Sequence, residues 1–230
     1  METSVSAIKN KTKKTASLKR QRLSPDEREA QIVDTAIEFF SEHGFEATTR
    51  ELAQRLGITQ PLLYRYFPTK QKLIERVYER IYVRRWQPKW GRLIKNRKLS
   101  LTDRLIDFYQ EYTDAVYDYV WVRSFLYAGL MGLDINSRYL EIIRTNVLIP
   151  ICVELRHEND LPSVRKVPIS DEEMELAWNM HGMFFYRAVR HFAYGLPMVK
   201  DLDQVIESDV RLFMKGAPQA QKKIIKQKMA

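Results

Sequence analysis

The chain has 230 residues, 45% of them hydrophobic and 29% charged, with a formal net charge of +9. That length buries a real core in one domain or two, and the composition fits a soluble folded protein. A membrane span, an export signal and a disulfide scaffold are all disfavoured: the longest apolar run, Val120 to Leu133, is short and carries Arg123, no apolar stretch follows the Lys-rich start, and Cys152 stands alone. A cytoplasmic protein with no membrane partner is expected.

The positive charge suggests an acidic partner, but it sits at the ends. Residues 1–23 hold Lys9, Lys11, Lys13, Lys14, Lys19, Arg20 and Arg22 against Glu2, for +6, and residues 215–230 hold five lysines and no acid, for +5. The middle is therefore slightly acidic, and the high isoelectric point belongs to two basic tails.

Helix signals then follow in chain order. Ser24-Pro25-Asp26-Glu27 supplies a capping residue, a proline in the first turn and an acid three residues on, and Ile32, Val33, Ala36, Phe39 and Phe40 recur at helical spacing up to His43-Gly44. Thr48-Thr49-Arg50-Glu51 is a second capping box, opening a short helix through Leu52, Ala53 and Leu56 to Gly57. Thr59 caps a third, with Pro61 tolerated where its missing N–H has no partner, and Phe67-Pro68 closes it. Thr69 opens a longer helix to about Trp90.

Ser100 and Asp103 start a helix that carries Leu101, Leu105, Phe108, Tyr112, Val116 and Tyr119 on one stripe. Residues 121–133 form an apolar helix, residues 138–158 one kinked by Pro150, and Ser170-Asp171-Glu172-Glu173 a third capping box opening a helix to about Tyr194. Asp201 with Gln204 starts the last, ending near Gly216. With no strand alternation and no repeat, the expected class is all-α with about nine helices.

Residues 48–66 carry the functional signal. Two short helices meet at a turn holding Gly57, small Ala53 permits close approach, and Leu52, Leu56, Ile58 and Leu63 pin the pair, the layout of a helix-turn-helix unit. The second helix offers Gln60 for a base edge, Pro61 and Leu62 for a thymine methyl, and Tyr64 and Tyr66 for phosphates. Lys70 adds a cation at the next helix start, Thr59 lies at the helix mouth, and the Arg50 fork suits a guanine.

This run resembles the head domain of the TetR family. The similarity extends over about residues 28–75: Phe39-Phe40, Gly44-Phe45, Thr48 through Ile58, Gln60 through Phe67, then Lys70 and Leu73. The resemblance implies phosphate contacts at Thr49, Tyr64 and Lys70, and base-reading positions at Arg50, Gln60, Pro61 and Leu62. The turn from Gly44 to Thr48 looks one residue shorter than in the tetracycline repressor, which leaves Thr48 and Thr49 both open as the phosphate anchor.

The resemblance further implies a body that dimerises through its last two helices and binds a small-molecule effector. In residues 171–194, Met174, Trp178, His181, Phe185, Ala188 and Phe192 form one stripe, Leu176, Met180 and Met183 flank it, and Gly182 permits close approach. Candidate dimer residues are Trp178, Gly182, Phe185, Val189, Val210 and Phe213. Candidate effector contacts are Phe108, Tyr109, Tyr112, Asn146, His181 and Phe185, drawn from an aromatic-rich stretch and the Pro150 region. Each also reads as ordinary core.

The expected organisation is a basic tail at 1–23, a helix-turn-helix domain at 24–70, an effector-binding and dimerisation body at 71–216, and a basic tail at 217–230. The operator is expected to be palindromic, matching a homodimer. No catalytic elbow, phosphate-cradling glycine loop or metal-spaced histidine set is present, so neither an enzyme nor a cofactor is expected. The alternative is a dimeric nucleoid-associated protein whose body is an interaction module without an effector.

Overall fold

The computed structural model describes residues 23–229, and the basic segment 1–22 lies outside them. Among the described residues the chain is helical with no strand. The helices are α1 (Pro25–His43), α2 (Thr49–Leu56), α3 (Gln60–Tyr66), α4 (Lys70–Tyr78), α5 (Lys89–Ile94), α6 (Leu101–Val116), α7 (Tyr119–Leu130), α8 (Ile135–Ile143), α9 (Ile149–Glu158), α10 (Asp171–Phe192) and α11 (Leu202–Met229). A π turn, Glu79–Val83, extends α4, and another, Arg144–Leu148, fuses α8 to α9, which makes ten continuous helical runs.

The extra run relative to nine is α5. The helix expected to reach Trp90 stops after Val83, because proline disfavours helical geometry in the residue before it and Gln87 precedes Pro88. Pro150 disturbs its helix as expected, and the disturbance takes the form of the π turn just before it. Tyr119 does not belong to the α6 stripe. Asp118 caps a new helix by accepting from the Trp121 N–H at 2.7 Å, leaving Tyr119 45% exposed.

α1, α2 and α3 form a small head around Ile32, Ala36, Phe40, Phe45, Leu52 and Leu63, all nearly inaccessible, and the start of α4 completes it through Leu73 and Val77. The body wraps α4 to α11 around Tyr82, Trp90, Phe108, Tyr109, Trp121, Tyr139 and Phe184. α7 joins the two. One face carries Trp121, Val122 and Phe125 into the body, while Arg123 and Tyr127 reach α1.

The two ends of the chain's last helix show where local signals mislead. Ser170 caps α10 by accepting from the Glu173 N–H, but the Glu173 carboxylate does not return to close the box. It is buried against Arg156, whose Nε donates to it at 2.7 Å, while Arg156 Nη1 donates to the Pro162 and Val167 carbonyls. α11 does not stop near Gly216. It continues through Ala217 and Pro218 to Met229, and Ala217, Gln221 and Ile225 are buried. Gln221 Nε2 donates to the Cys152 carbonyl at 3.0 Å and to Glu173 at 2.8 Å. Residues 217–229 are thus part of the body rather than a solvated tail, with their lysines outermost. A second buried cluster, Arg104 with Glu154 and Glu158, ties α6 to α9. Cys152 is packing rather than chemistry, since burial pushes its thiol up to about 12.

Ile225→Ala is expected to cost about 2–5 kcal/mol, the range for emptying a buried aliphatic site. Urea denaturation checks this, and a cost below about 0.5 kcal/mol would return residues 217–229 to a peripheral role.

Candidate nucleic-acid interface

Thr48 is the N-cap of α2. Its N–H donates to Glu51 Oε2 at 2.8 Å, and its hydroxyl accepts from the Glu51 N–H at 3.2 Å. Those bonds hold the Glu51 carboxyl below the usual range. The helix ends on Gly57 with φ +64°, a left-handed conformation that glycine adopts without strain, and the Ile58 N–H returns to the Ala53 carbonyl at 3.0 Å. Ala53 is buried at the contact between α2 and α3.

α3 is capped by Thr59, whose hydroxyl accepts from the Leu62 N–H, and it buries only Leu63 fully. Seven residues with one buried anchor have too little contact to fix their own angle. Thr49 supplies the missing constraint. It is itself buried, lies 3.0 Å from the Tyr64 hydroxyl, and accepts from Gln60 Nε2 at 3.0 Å. The three side chains lock α3 across α2.

The expected DNA contacts therefore divide. Arg50, Thr48, Thr59, Pro61 and Tyr64 are exposed, while Gln60, Leu62 and Tyr66 are half-buried. Arg50 forms no ion pair among the described residues. Gln60 and Thr49 are engaged with each other in this DNA-free state, and Thr49 faces inward, leaving Thr48 as the exposed hydroxyl of the pair. Lys70 Nζ donates to the Glu46 carbonyl at 3.2 Å, and burial lowers its pKa. Lys70 thus ties α4 to the turn before α2.

Two arginines escaped the sequence reading. Arg65 is exposed on α3 and unpaired among the described residues, and Arg28 of α1 borders the groove at Gly57 to Leu62. Arg65 stood next to two tyrosines with stronger signals. Arg28 lies 30 residues upstream of the turn, beyond the reach of motif spacing.

In the body, Phe108, Tyr109, Tyr112 and His181 are buried together. Tyr109 stacks on Phe184 with centroids 3.9 Å apart, and His181 lies 5.4 Å from the Tyr112 ring. Phe185 is half-buried at the edge of the same layer. Asn146 is not with them. It donates to the Ile142 carbonyl within its own helix. Of the candidate dimer residues, Gly182 is exposed with open space around it, and Trp178, Phe185 and Phe213 are half-buried. Val189 and Val210 lie inside the protomer's own core. The exposed apolar side chains on these helices are Tyr186 and Leu212, at 56% and 66%.

The fold and this site define a helix-turn-helix DNA-binding regulator. Residues 32–77 match the model for bacterial regulatory proteins of the tetR family. Over 66 residues the chain is 39% identical to the nucleoid occlusion factor SlmA of Haemophilus ducreyi, covering 28% of this chain and 33% of that protein. Over 85 residues it is 31% identical to the class D tetracycline repressor protein of Escherichia coli, covering 34% of this chain and 39% of that protein. Both alignments thus span little more than a third of the relatives' length. A TetR-like transcriptional regulator from Rhodococcus sp. RHA1 superposes with a TM-score of 0.60 at 20% identity, over 85% of this chain and all of that one. By its head domain the chain is a member of the TetR family, and its body carries the same all-α fold. No described helix is long and apolar enough to cross a membrane.

His181 offers a pH test of the buried layer. Burial lowers its pKa from 6.5 to about 4, so the folded protein holds it neutral. The unfolded chain binds the extra proton first, so His181's share of stability is present above about pH 6.5 and lost as pH falls toward 4. Thermal melts across that window should show a slope that His181→Phe reduces; an unaltered slope would place the titration elsewhere.

Proposed function

We propose that the protein is an operator-specific transcriptional repressor that binds palindromic DNA as a homodimer and is released by a small molecule held in the body. The observation that carries DNA reading is the α2–α3 unit: a capped helix, locked in angle by Thr49, presents Pro61, Tyr64 and Arg65 outward beside Arg50. The lock means that little ordering cost remains to be met on binding. Gln60 is poised to exchange Thr49 for a base edge, adenine being the geometrically favoured one. Thr48, Thr59 and Tyr66 flank the surface as phosphate contacts, with Lys70 orienting the turn.

A second copy would pack against Tyr186, Gly182, Phe185, Trp178, Phe213 and Leu212 of α10 and α11. Two half-buried aromatics, two exposed apolar side chains and an open glycine form a face with room for a close helix. Dimer geometry sets the separation of the two recognition helices, which must match half-sites roughly 34–36 Å apart or a multiple of it.

The effector would act on that separation by moving α7 and α4 against the head. α7 contacts α1 more extensively than α4 does. Arg123 Nε donates to the Ser41 carbonyl at 3.0 Å, so a shift of α7 is felt at the end of α1. The head alone serves either of two readings, since nucleoid occlusion factors and tetracycline repressors both resemble it. The unpartnered polar groups inside the body favour the effector-responsive one.

Selection from a random DNA pool at physiological salt tests the reading. A palindromic consensus is expected, and recovery of unrelated sequences would replace it with the nucleoid-associated alternative. On that consensus Arg50→Ala should cost about 1–3 kcal/mol and relax one base position. An equal loss on every sequence would make Arg50 a phosphate contact instead.

A further inference from the structure

A closed void of about 10 Å³, the room of one water, lies between α6, α7 and α10, lined by Tyr112, Val116, Trp121, Val122, Phe185 and Ala188. The layer around it has an unusual chemistry. The Trp121 indole N–H, the Ser124 hydroxyl one turn on, the Tyr109 hydroxyl and His181 Nδ1 are all buried, and none has a hydrogen-bond partner. They are neighbours through aromatic contact: His181 lies 5.4 Å from the Tyr112 ring, and Tyr109 lies 6.5 Å from it. Buried polar groups are ordinarily paired, because leaving one unpaired costs about 1–3 kcal/mol. Several in one layer mark either stored strain or groups awaiting a partner.

Charge narrows the partner. Trp121 donates only, and the two hydroxyls can donate, so the ligand must accept hydrogen bonds. No carboxylate or unpaired cation faces the layer. Arg187, the nearest buried cation, is already held by Asp209. Taking a charged ligand out of water there would go uncompensated. Aromatic walls on every side, with Trp121 stacked 5.1 Å from Phe125 and Tyr109 stacked on Phe184, suit a flat apolar body.

We propose that this layer is the effector site and that its ligand is an uncharged, planar aromatic molecule bearing a carbonyl-type hydrogen-bond acceptor. The inference rests on the effector-responsive reading given above. The void is too small for such a ligand as it stands. Half-buried Phe185 at its rim is the side chain that moves, and the ligand accepts from Trp121 and Tyr109 as it enters.

Acetophenone and ethylbenzene, near-isosteres that differ in the carbonyl, are the probes, titrated into the full-length protein by calorimetry. Phe185→Ala, which enlarges the void, guards against binding too weak to measure. Acetophenone should bind at least tenfold more tightly than ethylbenzene, phenethylammonium should not bind, and Tyr109→Phe and Trp121→Phe should each shrink the discrimination. Equal binding of the two probes, or binding of neither by wild type and Phe185→Ala alike, overturns the ligand class. Operator affinity is measured separately with acetophenone saturating. Retained discrimination with unchanged operator affinity supports the ligand chemistry and removes the effector reading instead.

Discussion

The end of α1 poses a problem that the rest of the architecture answers. A helix leaves its last carbonyls without partners, and in α1 those of Ser41 and Glu42 are turned toward the body. Arg123 of α7 donates to the Ser41 carbonyl, and the Tyr127 hydroxyl reaches that of Glu42 at 3.5 Å. A cation at a helix C-terminus is favoured by the helix dipole as well. Arg123 is held for the task between the Tyr119 and Tyr127 rings, 4.9 and 5.4 Å from their centroids. Gly44 permits this approach, since it has φ +78° and a Cβ there would stand 3.1 Å from the Tyr127 ring.

That contact makes α7 a helix with two obligations. Its Trp121 and Val122 side lines the void, and Arg123, next in sequence, holds the head. On a helix, neighbouring residues project about 100° apart, so the two surfaces cannot be adjusted independently. The α4 link is weaker in kind. Arg138 reaches Glu75 and lies 4.0 Å over the Tyr78 ring, but these are half-exposed contacts that water screens. Coupling between body and head therefore falls mainly on α7.

How much of this was legible in the sequence depends on how far away the deciding partner stands. The α2–α3 unit was readable because Thr48 meets Glu51, Gly57 meets Ala53 and Thr59 meets Leu62, all within five residues. Its internal lock was not, because Thr49 and Tyr64 are both plausible phosphate contacts until the fold places them together. Glu173 read as a capping acid, and only Arg156, 17 residues earlier, explains why the carboxylate turns inward. Gly216-Ala217-Pro218 read as a stop. A proline removes one helical hydrogen bond and crowds the preceding turn, a cost of about 3 kcal/mol. Burial of Ala217, Gln221 and Ile225, with Gln221 bonded 48 and 69 residues away, offsets it.

The small void also bears on how a signal would be sent. Opening room for a benzene-sized ligand, about 100 Å³, costs about 2–3 kcal/mol at roughly 24 cal/mol per Å³. A ligand binding at micromolar strength releases about 8 kcal/mol, so it tolerates that cost with a wide margin. Only the part that differs between the closed and opened layer shifts the protein's equilibrium. A roomy preformed pocket would hold a ligand without disturbing α7 and would give no such difference. A closed layer whose unpaired Trp121 and Tyr109 groups are satisfied only on opening makes occupancy and displacement of α7 the same event. With Arg123 fixed to the end of α1, that displacement reaches the recognition helix through packed contacts alone.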